Sequence, residues 1–237
     1  MANAFCQHRD KFVFSQLKYR GGNWDPYSTG FDEIVNMLTA TTSIKPEPKR
    51  NDISLSDKNI FISPFLWMTG DSEFQDFTEE EIGILRQWLL CGGLLIIDDT
   101  SGSRNYGFDL SVRKLIKKIF PDTELEKIRE EHAVYRSFYL MRGVGGRRIV
   151  NRYMEGIDVE GRTVLIYSQN NIYGAWARDR MGNWLYECIP DGETQRIEAM
   201  KLTINLIVYS LTGTYKKDMI HQPYIDQKLR MRGGRLP

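Results

Sequence analysis

The sequence predicts an α/β fold, a mostly parallel sheet flanked by helices. Three observations predict it. Leu94 to Ile97 is a short, unbroken apolar run closed by Asp98 and Asp99, the pattern of a strand buried on both faces. Thr163 to Tyr167 is a second buried run, ending at Ser168-Gln169-Asn170-Asn171. Helical patterns alternate with the strand patterns, as βαβ units require.

Taken in order, residues 1–10 read as an arm, 11–213 as a single α/β domain and 214–237 as a basic extension. Lys11 to Tyr19 is the first strand, followed by the glycine-rich loop Arg20-Gly21-Gly22-Asn23-Trp24-Asp25-Pro26. A helix over Thr29 to Ala40 places Phe31, Ile34, Val35 and Leu38 on one face. Thr42 to Ile44 is expected as a short second strand and Lys45 to Asp57, with two prolines, as loop. Asn59 to Ser63 is expected as the third strand, and Pro64 to Asp71 as an unusually aromatic loop. Thr78-Glu79-Glu80-Glu81 matches a capping box, and Ile82, Leu85, Trp88 and Leu89 follow at helical spacing. Gly92 suits a left-handed C-cap.

Beyond the loop Thr100 to Ser103, Asp109 is the expected N-cap of a helix burying Leu110, Val112, Leu115, Ile116 and Ile119. Its lysines 114, 117 and 118 form a solvated face, and Pro121 ends it. Ala133 to Leu140 is expected as strand, Gly143 to Arg148 as turn, and Trp176 to Tyr186 as an insert. A long helix over Glu193 to Leu211 turns Ile197, Met200, Ile204, Ile207, Val208 and Leu211 inward, with Gly213 closing it. The expected strand order is flavodoxin-like, with the first strand between the second and third and the switch point beside it.

Composition narrows the function classes. A net charge of +1 gives no global pull toward nucleic acid or anionic membrane. Cys6, Cys91 and Cys188 make neither a disulfide framework nor a metal knuckle. No apolar run is long enough to span a membrane. Ala2-Asn3-Ala4 has the small-x-small form of a signal-peptide end, so a periplasmic or exported location is expected. There is no phosphate-binding Gly-x-x-x-x-Gly-Lys loop, no dinucleotide fingerprint and no Gly-x-Ser-x-Gly elbow. Cys91 precedes its strand instead of following it, so it reads as a packed cysteine and not as a nucleophile.

A distributed constellation is left. Ligands in open α/β sheets sit outside the carboxyl ends of the strands, which makes Asp98 and Asp99 candidate catalytic groups or loop caps. His132 is the candidate base or metal ligand to join them, or else a structural histidine. Trp24, Trp67, Tyr19 and Tyr139 are candidate aromatic walls; Tyr167 fits the core better. Gly22 and Gly70 allow close approach, and Glu155, Ser168 and Asn170 supply polar groups at element ends. Aromatic faces beside carboxylates and amides suit a carbohydrate. Three functions stay open: a module binding a carbohydrate or cell-envelope component, a hydrolase with or without a divalent metal, and a protein-interaction domain. No cofactor is specified.

The chain resembles the bacterial domain of unknown function 4159. The matching pieces include Phe14 to Tyr19 with Gly22 and Trp24-Asp25-Pro26, Pro64 to Gly70, Phe77 to Glu81 and Gly92 to Asp99. Further pieces are Phe120-Pro121, His132, Phe138-Tyr139, Glu155-Gly156, Tyr167-Ser168 with Asn170, and Asn205 with Tyr209. The resemblance implies a three-layer sandwich akin to class I glutamine amidotransferase-like domains that lack the cysteine nucleophile, and it implies export. Asn171 stands where many relatives carry Asp, which argues against a metal at that position.

Overall fold

The computed structural model describes residues 11–212. The expected arm, the basic extension, Gly213 and the Ala2-Asn3-Ala4 remnant lie outside the described residues. Seven strands form one sheet: β1 (Ser15–Leu17), β2 (Asn51–Ile53), β3 (Phe65–Gly70), β4 (Leu94–Asp99), β5 (Glu126–Lys127), β6 (Glu155–Val159) and β7 (Arg162–Ser168). Their order is β2-β1-β3-β4-β7-β6-β5. The five strands from β2 to β7 in this order pair in parallel; β6 and β5 continue the sheet by antiparallel pairing. The expected α/β architecture and the expected neighbours of β1 are both present.

Four helices cover the sheet: α1 (Gly30–Thr41), α2 (Glu79–Leu90), α3 (Gly107–Ile119) and α4 (Gly192–Thr212). Alternate residues of the central strands point to opposite faces. Phe65, Trp67, Leu94, Ile96 and Ile166 pack with α1 and α4. Leu66, Met68, Leu95, Ile97 and Leu165 pack with α2 and α3. That division makes the three layers. The capping box of α2 forms as expected: Thr78 Oγ1 accepts from Glu81 N at 3.2 Å and Glu81 Oε2 accepts from Thr78 N at 2.7 Å. Gly92 adopts φ +117°, and a Cβ on Gly93 would lie 2.4 Å from the Trp88 ring, so this turn requires its glycines.

Several local expectations need correction. The second strand is Asn51–Ile53, inside the stretch read as loop, and the third is Phe65–Gly70, the supposed aromatic loop. Every residue of β3 is buried, so it shows no alternation, and Pro64 stands just before it where a missing N–H does no harm. Lys58–Ile62 is a short 3-10 turn, capped by Asp57 Oδ1 on Asn59 N at 2.9 Å. Ala133–Arg136 is likewise 3-10 and not strand. Helix α3 begins two residues before Asp109, which is buried in its first turn and is not its N-cap. Leu110, Ile197 and Leu211, expected inside, are exposed.

Candidate functional site

The switch point lies between β1 and β3, and the loops leaving the carboxyl ends of β1, β3, β4 and β7 surround it. Each loop is held from beneath by a buried polar side chain. Asp98, the partner of Ser168 across the β4–β7 pair, uses both oxygens. Oδ1 accepts from Ile172 N at 2.8 Å and Oδ2 from Tyr173 N at 2.7 Å. Burial lifts its carboxyl to about 7, against the downward pull of those two N–H groups. Asp99 Oδ1 accepts from the Ser101 N–H and hydroxyl, both at 2.8 Å, and from Gly102 N at 3.1 Å. Burial raises its pKa too.

Asn170 clips the next loop: its Oδ1 accepts from Val150 N and Asn151 N, both at 2.9 Å, and its Nδ2 donates to Asn151 O at 2.7 Å. Ser168 Oγ accepts from Asn170 N at 3.2 Å. Tyr19 Oη donates to Thr69 O at 2.8 Å, tying the end of β1 to β3. A Cβ on Gly70 would lie 2.2 Å from that hydroxyl, and one on Gly22 would lie 2.9 Å from the Tyr19 ring. Both glycines thus serve the packing of Tyr19.

Sequence reasoning missed Asp109 and Arg113. Tyr167 Oη donates to Asp109 Oδ1 at 2.8 Å, and Asp109 Oδ2 accepts from Asn105 N at 2.7 Å. Arg113 bridges Asp109 at 3.0 Å and Glu155 at 2.8 Å. Burial, then the neighbouring Asp99 and Asp109, push the Tyr167 hydroxyl far up from its ordinary pKa. The i,i+4 spacing of Asp109 and Arg113 on one helix was the available signal.

Three expected residues stand elsewhere. Trp67 is fully buried, stacked on Phe14 at 5.8 Å and packed on Tyr173 at 5.9 Å, so it is core and not a crevice wall. Tyr139 is fixed to α4, where Asn205 takes its N–H at 2.7 Å and donates to its carbonyl at 2.9 Å. His132 is not joined to Asp98 or Asp99. Its Nε2 lies 2.8 Å from Thr163 Oγ1, near the start of β7, whereas Asp98 pairs with Ser168 at the end of that strand. At the rise of a strand, the two positions are about 17 Å apart.

Nor does His132 have a lone pair to offer. Its Nδ1 accepts from Val134 N at 3.1 Å, which places the ring proton on Nε2 and directs it to Thr163. Thr163 in turn donates to Asp158 at 2.5 Å. Burial lowers the histidine pKa, in keeping with a neutral ring. A cleft of about 410 Å³ opens beside it, lined by Glu126, Lys127, Arg129, Glu131 and Asp158. Among the described residues no three His, Cys, Asp or Glu side chains are grouped to hold a metal ion.

Trp24 alone of the expected aromatic walls stands half-exposed at the mouth of β1, with Arg50 and Lys18 5.8 and 5.9 Å from its ring centre. Asp25 binds Arg50 through both oxygens at 2.8 Å. Around the same end stand Asn23, paired with Asp71 at 2.9 Å, and Tyr106, 75% exposed. Beyond the end of β7, Arg147 N donates to Asn171 O at 2.8 Å, and Tyr186 meets both Tyr27, 5.5 Å between ring centres, and Arg147, 4.5 Å from its ring centre. Among the described residues no helix is long and apolar enough to cross a membrane. No curated protein matches the chain. Residues 13–211 match the family model described as domain of unknown function (DUF4159), and the chain belongs to that family.

Proposed function

We propose that the chain is a binding module, and that a polar, carbohydrate-like ligand of the cell-envelope type sits in the crevice outside β1, β3 and β4. One observation supports this above others: Asp98, Asp99, Asn170 and Tyr19 are all engaged in holding loops. Groups so engaged make a rigid rim, and a rim ordered in advance lowers the entropic cost of binding. The half-exposed Trp24 and the exposed Asn23, Asp71 and Tyr106 are an aromatic face, an amide, a carboxylate and a phenol, the chemistry that sugar hydroxyls and CH groups meet. Hydrolysis by Asp98 or Asp99 with His132 loses support from their separation along β7. Export, and kinship in fold with the class I glutamine amidotransferase-like domains, belong to the same reading. The strand order around β1 favours that kinship.

A thermal-shift panel of sugars and cell-wall fragments tests the proposal. A ligand at about 100 times its dissociation constant adds roughly 2.7 kcal/mol of stability. The shift should vanish in Trp24→Ala. Shifts that survive both Trp24→Ala and Tyr106→Ala would place binding elsewhere.

A further inference from the structure

We infer that the ligand of the crevice carries an anionic group, a carboxylate or a phosphate, and that Arg147 is its anchor. This deepens the binding reading and rests on it.

The backbone of Arg147 is fixed at three points. Its N–H donates to Asn171 O at 2.8 Å, and its carbonyl accepts from Ile189 N at 2.8 Å and from Gln195 Nε2 at 2.9 Å. The preceding glycines permit this: a Cβ on Gly146 would lie 2.2 Å from Asn170 O, and one on Gly145 would lie 2.5 Å from the Ala199 backbone. The side chain therefore starts from a set position beside the carboxyl ends of β4 and β7.

Its guanidinium lies over the Tyr186 ring, 4.5 Å from the centre. Among the described residues it forms no ion pair and no hydrogen bond, and its buried Nε has no acceptor. Other sheltered arginines are answered. Arg50 meets Asp25, Arg113 meets Glu155, and Arg162 donates to the carbonyls of Leu89 and Gly93. A buried donor without a partner is uncommon, and a planar fork of donors matches a carboxylate or phosphate.

A second donor stands beside it. Tyr27 packs edge-on against the same Tyr186, 5.5 Å between ring centres. The Tyr27 oxygen accepts from Asn171 Nδ2 at 2.9 Å, so its own hydrogen is left to donate. Burial raises its pKa, which keeps that hydrogen in place. Asn171 is itself locked, donating to Thr100 O at 3.1 Å and accepting from Gly174 N at 2.9 Å. The guanidinium and the phenol, held on one aromatic ring, make a pre-positioned pair of donors for a single anion.

The test compares glucose, glucuronate and inorganic phosphate by calorimetry and thermal shift on wild type and Arg147→Met. Methionine keeps an aliphatic contact with Tyr186. Its unliganded melting temperature should equal or exceed that of wild type, because an unanswered charge is removed; a fall of several degrees would mark Arg147 as structural and overturn the inference. Glucuronate should bind wild type more tightly than glucose does and lose about tenfold or more in Arg147→Met, with glucose unchanged. Equal binding of both sugars, untouched by the substitution, would overturn the anion and leave the glycan reading standing. Phosphate binding that Arg147→Met abolishes, with no response to either sugar, would uphold the anchor and overturn the glycan. No response to glucuronate or phosphate would overturn the inference.

Discussion

Asp98 and Tyr173 are joined across the chain by a 2.7 Å hydrogen bond from the Tyr173 backbone N–H to the Asp98 carboxylate, at the end of the central strand. The partner oxygen holds Ile172 in the same way at 2.8 Å. Asp98→Ala would leave two buried N–H groups without an acceptor. A loss of about 2–5 kcal/mol is expected, with a smaller loss in Asp98→Asn, which keeps one acceptor; urea unfolding measures both. Equal stability of wild type and Asp98→Ala would mean the loop does not depend on this post.

The same carboxyl sets a pH dependence. Burial raises it from 3.8 to about 7, so the folded chain keeps a proton that the unfolded chain gives up. Its contribution therefore falls as pH rises between those values, and Asp98→Asn removes that slope. Urea midpoints of both proteins at about pH 5 and 8 read it directly.

His132 has the opposite sign. Its pKa lies below the usual 6.5, so the unfolded state takes up a proton first and stability falls as pH drops beneath that value. Protonation of Nδ1 would also displace the Val134 N–H. Nitrogen-edge NMR should find the Nε2–H tautomer at neutral pH and titration below 6.5. A ring already charged at pH 7 would contradict the hydrogen-bond pattern.

The two tryptophans should separate fold from function. Trp67→Ala empties a core position and should cost about 3–5 kcal/mol. Trp24→Ala, at the half-exposed mouth, should change stability by about 1 kcal/mol or less while removing ligand shifts. A stable Trp67→Ala protein would refute its core placement.

Gly70→Ala should destabilise the fold by overpacking. Its Cβ would press on Tyr19 Oη at 2.2 Å and on the Phe108 ring at 2.4 Å, so the Tyr19 tie to Thr69 must shift. Overpacking of this kind costs about 1–3 kcal/mol. A melting temperature equal to wild type would show that the contact relaxes freely.

The parts of the fold that were legible are those with local signatures. The capping box, the Gly92 turn and the β4 run each declare themselves within a dozen residues, and the order around β1 follows from the alternation of elements. β2 and β3 were displaced because β2 has only three residues in a polar stretch and β3 is buried on both faces. Of the candidate site, the importance of Asp98, Asp99 and Asn170 was readable from their place at strand ends; what they hold was not, since Ile172, Ser101 and Val150 reach them only through the fold. His132 drew notice for its residue type, and type carries no information on distance. Arg147 and Tyr27 gave no signal, because an arginine without a partner is visible only once every neighbour is in place.

The two outermost strands of the sheet are β2, with three residues, and β5, whose two residues are exposed. Asp52 sits in the first, and Glu126 and Lys127 make up the second. A passing chain seeking to add itself at either rim would find two or three rungs and a fixed charge to desolvate. The buried, apolar strands that would seed aggregation, β3 and β4 above all, are reached only by opening the whole sheet.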